Sequence, residues 1–81
     1  MHEILNDPIN VRVDFTNNKV RPRLIKWGSS LFAIHRVNFI YQNKEGEHTI
    51  FYFSVSNNQY YLKLKFNPAT MQWNLMEIYG E

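Results

Sequence analysis

Apolar residues recur at every second position along nearly the whole chain, and no segment sustains the 3.6-residue repeat of an amphipathic helix. Alternation of this kind covers one face of an extended strand and leaves the other to water. Ile9, Val11, Val13 and Phe15 alternate with Asn10, Arg12 and Asp14, which specifies a half-buried strand. Asn17-Asn18 turns the chain, since asparagine tolerates positive φ. A second strand runs from about Val20 to Trp27; Pro22, lacking an amide proton, belongs at an edge or irregularity of it. After a turn at Gly28-Ser29-Ser30, a long strand from Leu31 to about Gln42 changes its apolar phase from the even positions Phe32 and Ile34 to the odd positions Val37, Phe39 and Tyr41. A bulge at His35-Arg36 reconciles the two phases by turning both polar residues outward.

The later hairpins constrain one another. With residues 43–47 as a loop, Phe39 faces Phe51 and Val37 faces Phe53. With Asn57-Asn58 as a two-residue turn, Val55 faces Tyr60, Phe53 faces Leu62 and Phe51 faces Leu64. Both registers send the same side of the Thr49–Val55 strand inward, and a one-residue slip in either would expose an apolar row. A turn over residues 67–70 brings Leu64 and Phe66 near Leu75 and Trp73, and the phase break before Ile78 implies a bulge near Met76-Glu77. The expected fold is all-β: a six-stranded antiparallel meander rolled into a small, SH3-like or partly open barrel with bulges. Residues 1–8 read as a terminal arm and 9–81 as a single β domain.

Eighty-one residues limit burial to some 60 to 65% of the unfolded surface, so the core must be dense. Thirteen aromatic residues (two Trp, five Tyr, six Phe) supply that density. The absence of cysteine excludes a disulfide frame and thiolate metal sites and fits a reducing compartment. The first ten residues carry no basic, apolar leader pattern, and no run approaches the roughly 20 apolar residues of a membrane helix. The expectation is a soluble cytoplasmic protein with no membrane partner.

Charge is unevenly spread. Between Phe15 and Met76 the only acids are Glu45 and Glu47, against Lys19, Arg21, Arg23, Lys26, Arg36, Lys44, Lys63 and Lys65. Catalysis and cofactors are not expected. Gly28, Gly46 and Gly80 are isolated, so no phosphate loop forms, and His2, His35 and His48 do not converge in the expected register. Glu45 and Glu47 flank a hairpin tip with too little burial to raise a carboxyl pKa. What remains is a surface. On the wet side of the expected registers, Arg36, Tyr52, Tyr61, Lys63 and Lys65 share a face, with Arg21, Arg23 and Lys26 assisting. Rings that stack bases beside cations that track phosphates suit weak binding of single-stranded nucleic acid. The alternative is a protein-interaction or homo-oligomeric assembly module, a homodimer included, since polar outer faces and strand tyrosines also serve any antiparallel sheet. Trp27 reads as core, packed beside Phe32.

Pro22, Ile25, Trp27, Phe32, Ile34 and Val37, followed by Asn67-Pro68-Ala69-Thr70, Trp73, Leu75, Ile78 and Tyr79, keep a distinctive spacing. In these positions the chain resembles a small bacterial domain family of unknown function with the pattern P-x-x-F-x-W-R-G-R-x-Y-x-V-x-x-V and, later, D-P-x-T-x-x-W-x-L-x-x-V-Y-D. The likeness covers roughly residues 22–80. Members are sometimes attached to DNA-repair polymerases, so the resemblance implies a nucleic-acid or replication-protein context, with a nucleic-acid-processing protein as a partner. Where that pattern has R-G-R, this chain carries Gly28, Ser29 and Ser30, and its terminal aspartate is replaced by Gly80.

Overall fold

A computed structural model describes residues 2–80; Met1, assigned to the arm, and Glu81, assigned to the end of the β domain, lie outside them. Seven strands follow one another: β1 (His2–Thr16), β2 (Lys19–Trp27), β3 (Ser30–Ala33), β4 (Arg36–Glu45), β5 (His48–Ser56), β6 (Tyr60–Asn67) and β7 (Gln72–Gly80). They form one antiparallel sheet in the order β3-β2-β1-β7-β6-β5-β4. β1 pairs through its first half with β7 and through its second with β2.

The two edge strands, β3 and β4, are consecutive in the chain and separated only by Ile34-His35. Three Cα steps reach at most about 11 Å, so the sheet must curl until its edges meet there. The backbone N–H of Ile34 donates to Arg23 O and that of His35 to Ser56 O, both at 2.9 Å, so this dipeptide is tied to β2 and to β5 at once. Past it, β2 and β4 share no ladder, and the sheet is curled but not closed into a barrel.

Two sequence expectations change here. The single strand over 31–42 becomes two, giving seven strands instead of six, because the chain leaves β2 for β5 at the phase break where a bulge was expected. The terminal arm is also a strand: His2–Pro8 extends β1, with His2 opposite Tyr79, Ile4 opposite Glu77 and Asp7 opposite Leu75. An irregularity between Ile4 and Asp7 erases the alternation that would have marked it. Trp27 Nε1 donates to Asp7 Oδ2 at 3.1 Å, which ties this segment to β2, and the Trp27 ring lies 6.3 Å from that of Phe32.

Turn chemistry explains the registers. Asn17 and Asn18 have φ of 52° and 61°, both positive as a type I′ hairpin requires. Gly46 has φ of 65° in the first position of a two-residue turn, the type II′ requirement, and open space surrounds it, so glycine serves the dihedral there and not a close approach. With only Gly46-Glu47 in the turn, the ladder continues through Glu45 opposite His48, and every pairing beyond it differs from the five-residue-loop expectation. Phe39 lies opposite Ser54 and faces out, and Tyr41 lies opposite Tyr52, while Val37 and Ile40 keep to the inner side opposite Val55 and Phe53. At the next turn, Asn57 Oδ1 accepts from the N–H groups of Gln59 and Tyr60 at 2.8 and 2.9 Å and moves the turn one residue onward. Phe53 therefore meets Leu64 and Val55 meets Leu62, a two-residue shift that leaves the faces as expected. In β6–β7, Leu64 pairs with Leu75 and Phe66 with Trp73, and the ladder slips by one at Met76, where the bulge was expected.

Pro22 sits beside an irregularity, as its missing donor demands. Thr16 and Lys19 flank the Asn-Asn turn and form its hydrogen-bonded pair, so alternation turns the Pro22 amide position away from β1 and no ladder bond is lost. The core lies inside the curl: Ile25, Val55, Leu64 and Leu75 are fully buried, with Phe53, Leu62, Trp73 and Ile78 nearly so. The Trp73 ring packs 4.5 Å from Phe66 and 5.2 Å from Phe53.

Candidate binding surfaces

Outward side chains of β5 and β6 bring together four of the sequence-predicted residues, Tyr52, Tyr61, Lys63 and Lys65. Lys65 lies across from Tyr52, Lys63 from Ser54 and Tyr61 from Ser56. Arg36 opens β4 opposite Ser56 and so stands at the end of this face. Two rings join it that sequence reasoning had sent inward. Tyr41 stacks on Tyr52 with centroids 5.0 Å apart, and Phe39 lies 5.5 Å from Tyr41. Lys63 Nζ sits 5.3 Å from the Tyr52 ring and 5.8 Å from that of Tyr41, within cation–π range. The signal that would have placed these rings was Gly46-Glu47 as a two-residue turn. Further along, Tyr79 stacks on His2 at 3.9 Å, and Ile4 is 79% exposed.

Electrostatically this face is close to neutral. Lys65 Nζ lies 3.1 Å from Glu45 Oε1, and Tyr52 donates to Glu45 Oε2 at 2.6 Å. Lys63 Nζ is 3.5 Å from Glu77 Oε2, while Tyr79 OH donates to Glu77 Oε1 at 3.1 Å, the oxygen that His2 Nε2 approaches at 3.0 Å. Glu45, expected at a hairpin tip, is thus the acceptor that organises one end of the face. The Tyr52 hydroxyl, then Lys65, hold its carboxyl below the usual range, and His2, then Tyr79 and Lys63, do the same for Glu77. Tyr41 beside Lys63 raises that ammonium. Both carboxylates are held ionised, which makes them anchors and poor proton donors.

The hydrogen bond to Glu45, helped by burial, pushes Tyr52 up to about 12. Because the folded value exceeds the unfolded one of about 10, the bond's stabilisation is complete below pH 10 and is lost as pH rises through 12. Glu45 has the opposite sign: its contribution is present above the unfolded carboxyl value and disappears as pH falls through the depressed one. The bond to Glu77 raises Tyr79 as well, so absorbance titration of the tyrosines is expected to show a late-ionising component of which the Tyr52 part vanishes in Tyr52→Phe and moves down in Glu45→Gln; a Tyr52→Phe titration identical to wild type would break the assignment.

The remaining cations gather elsewhere. Arg21, Arg23 and Arg36 border a depression of about 120 Å³ with Pro22, Ile34 and His35, at the point where β2 and β4 part. Where they have diverged, a cleft of about 470 Å³ opens, lined by Lys19, Val20, Arg21, Ile40, Phe51 and Phe66 among others. Arg23 Nε donates to Asp14 Oδ2 at 2.9 Å, whereas Lys19, Arg21 and Arg36 have no ion pair among the described residues. Lys26 lies on β2 between Asn10 and Leu31 and borders neither space. The single expected surface is therefore divided into a neutral ring face and a cationic seam, which meet at Arg36.

Among the described residues no three His, Asp or Glu side chains are placed to hold a metal ion, and no helix is long and apolar enough to cross a membrane. No family model, curated protein or solved structure matches the chain.

Proposed function

We propose that this chain is a non-catalytic contact module of the cytoplasm whose ring face, on β4 to β7, docks on protein, with a second copy of itself as the partner that suits it best. One observation carries this reading: Phe39 and Tyr61 are 60% and 56% exposed on a face whose two lysines are answered by two carboxylates. Aromatic area with unbalanced charge removed is the composition of interface centres. A patch carrying both signs is also self-complementary, as a two-fold contact requires, and lets two chains of net charge +2 approach without like charges meeting. Light scattering over a wide concentration range is expected to show mass rising toward that of a dimer, and Phe39→Ser combined with Tyr61→Ser is expected to abolish the rise. A monomer at every concentration overturns the self-docking reading.

A second reading, weak binding of single-stranded nucleic acid, is favoured by Lys19, Arg21 and Arg36, cations with no ion pair among the described residues, and by the resemblance to domains found beside DNA-repair polymerases. It calls for affinity of about 10⁻⁴ to 10⁻⁶ M that falls steeply with salt. Fluorescence anisotropy with labelled oligonucleotides at low and moderate salt checks it, and no binding at low salt dismisses it.

A further inference from the structure

From the seam between β2 and β4 we infer a second docking site, independent of the ring face, that takes an extended acidic peptide, apolar at alternate positions, as an added strand on the β4 edge. Three features converge on it. The floor of the cleft is apolar: Val20, Val37, Ile40, Phe51, Phe53 and Phe66 line it, and Ile40 is 48% exposed although it faces inward. An incoming strand that sends every second side chain down would cover this floor.

The lip supplies backbone. Glu45 and His48 flank a two-residue turn and form its hydrogen-bonded pair, so alternation turns the amides of Lys44, Gln42 and Ile40 away from β5. Lys44 N–H is taken by Asn43 Oδ1 at 3.1 Å, an outward contact that agrees with this phase. Ile40 and Gln42 then present their N–H groups two residues apart, the repeat of an added strand.

Charge selects the occupant. Lys19 and Arg21 line the wide end, Arg21, Arg23 and Arg36 the narrow end with His35, and neither space is lined by an Asp or Glu. Asp14, the acid nearest in register to Arg21, is already bound to Arg23. Carboxylates on alternate residues of a peptide would answer these cations while the intervening residues fill the floor. A single-stranded nucleic acid offers phosphates to the same cations but no backbone groups at strand spacing for the lip, so the peptide fits both features and the nucleic acid one.

The test uses the whole protein with three fluorescein-labelled probes: a peptide alternating Val and Glu, one alternating Val and Lys, and a single-stranded oligothymidine. The Val/Glu peptide is expected to bind and the Val/Lys peptide at least about tenfold more weakly. Arg21→Glu and Ile40→Asp are each expected to weaken the Val/Glu peptide by about tenfold, while Phe39→Ser leaves it unchanged. Arg21 is exposed, so its variant remains informative even if Ile40→Asp disturbs folding. Hydrogen exchange at the Ile40 and Gln42 amides is expected to slow on binding. Absence of Val/Glu binding, equal binding of the Val/Lys peptide, or unchanged exchange at Ile40 and Gln42 overturns the inference. Displacement of the peptide by oligothymidine without that protection assigns the seam to nucleic acid instead.

Discussion

Replacing Leu64 by alanine is expected to remove about 2 to 5 kcal/mol of stability, a large part of the roughly 4 to 12 kcal/mol available to a chain of this length. Leu64 is fully buried and is flanked on its two sides by Phe53 and Leu75, so the cavity left behind has neighbours on both strands that cannot collapse into it without breaking a ladder. Phe39→Ala provides the contrast. Phe39 is 60% exposed opposite Ser54, and its loss is expected to change stability by no more than about 0.5 kcal/mol. In the register with a five-residue loop, Phe39 faces Phe51 inside, and the same substitution would cost about 3 to 5 kcal/mol. Urea unfolding followed by tryptophan fluorescence separates the two: comparable losses for the two variants would reject the observed β4–β5 register.

Deletion of residues 2–7 is the other large effect. Were the segment a loose arm, its removal would leave Tm unchanged. As strand, it carries the ladder with β7 from His2 to Asp7, the partly buried Leu5 that packs on the core, and the Asp7 carboxylate that accepts from Trp27 Nε1. Losing one partly buried leucine and a hydrogen bond to a charged group costs on the order of 3 kcal/mol, which for a domain of this size lowers Tm by about 12 to 24 °C. Trp27 emission is expected to shift as its indole N–H loses its partner, and Asp7→Asn alone to reproduce part of the Tm loss. The deletion also uncovers the backbone of β7 over residues 75–79, so the truncated protein is expected to associate more readily than the whole one. A truncated chain with wild-type Tm would return these residues to the status of an arm.

Alternation by itself determined the fold class and the inward faces of β5, β6 and β7, since strand periodicity admits only two faces; it did not foresee that Ile50 and Ser56, on the outward side of β5, are buried as well. Leu62, Leu64, Leu75 and Ile78 are buried as their spacing requires, and Pro22 and Met76 mark irregularities that a missing donor and a broken phase announce locally. Register was less legible. Gly46-Glu47 and residues 43–47 are both acceptable loops from sequence, and the choice between them moved Phe39 and Tyr41 from the core to the ring face. The candidate site followed the same division: Tyr52, Tyr61, Lys63 and Lys65 share a face because parity survives a two-residue slip, but their neutralisation by Glu45 and Glu77 depends on which strands lie side by side. Only the tertiary structure decided that His2–Pro8 is strand and that Ile34-His35 carries the chain from one edge of the sheet to the other. Those outcomes rest on contacts between residues far apart in sequence, an exposed flank of β7 and a curl that brings Arg23 and Ser56 within reach of one dipeptide, and local patterning carries no record of either.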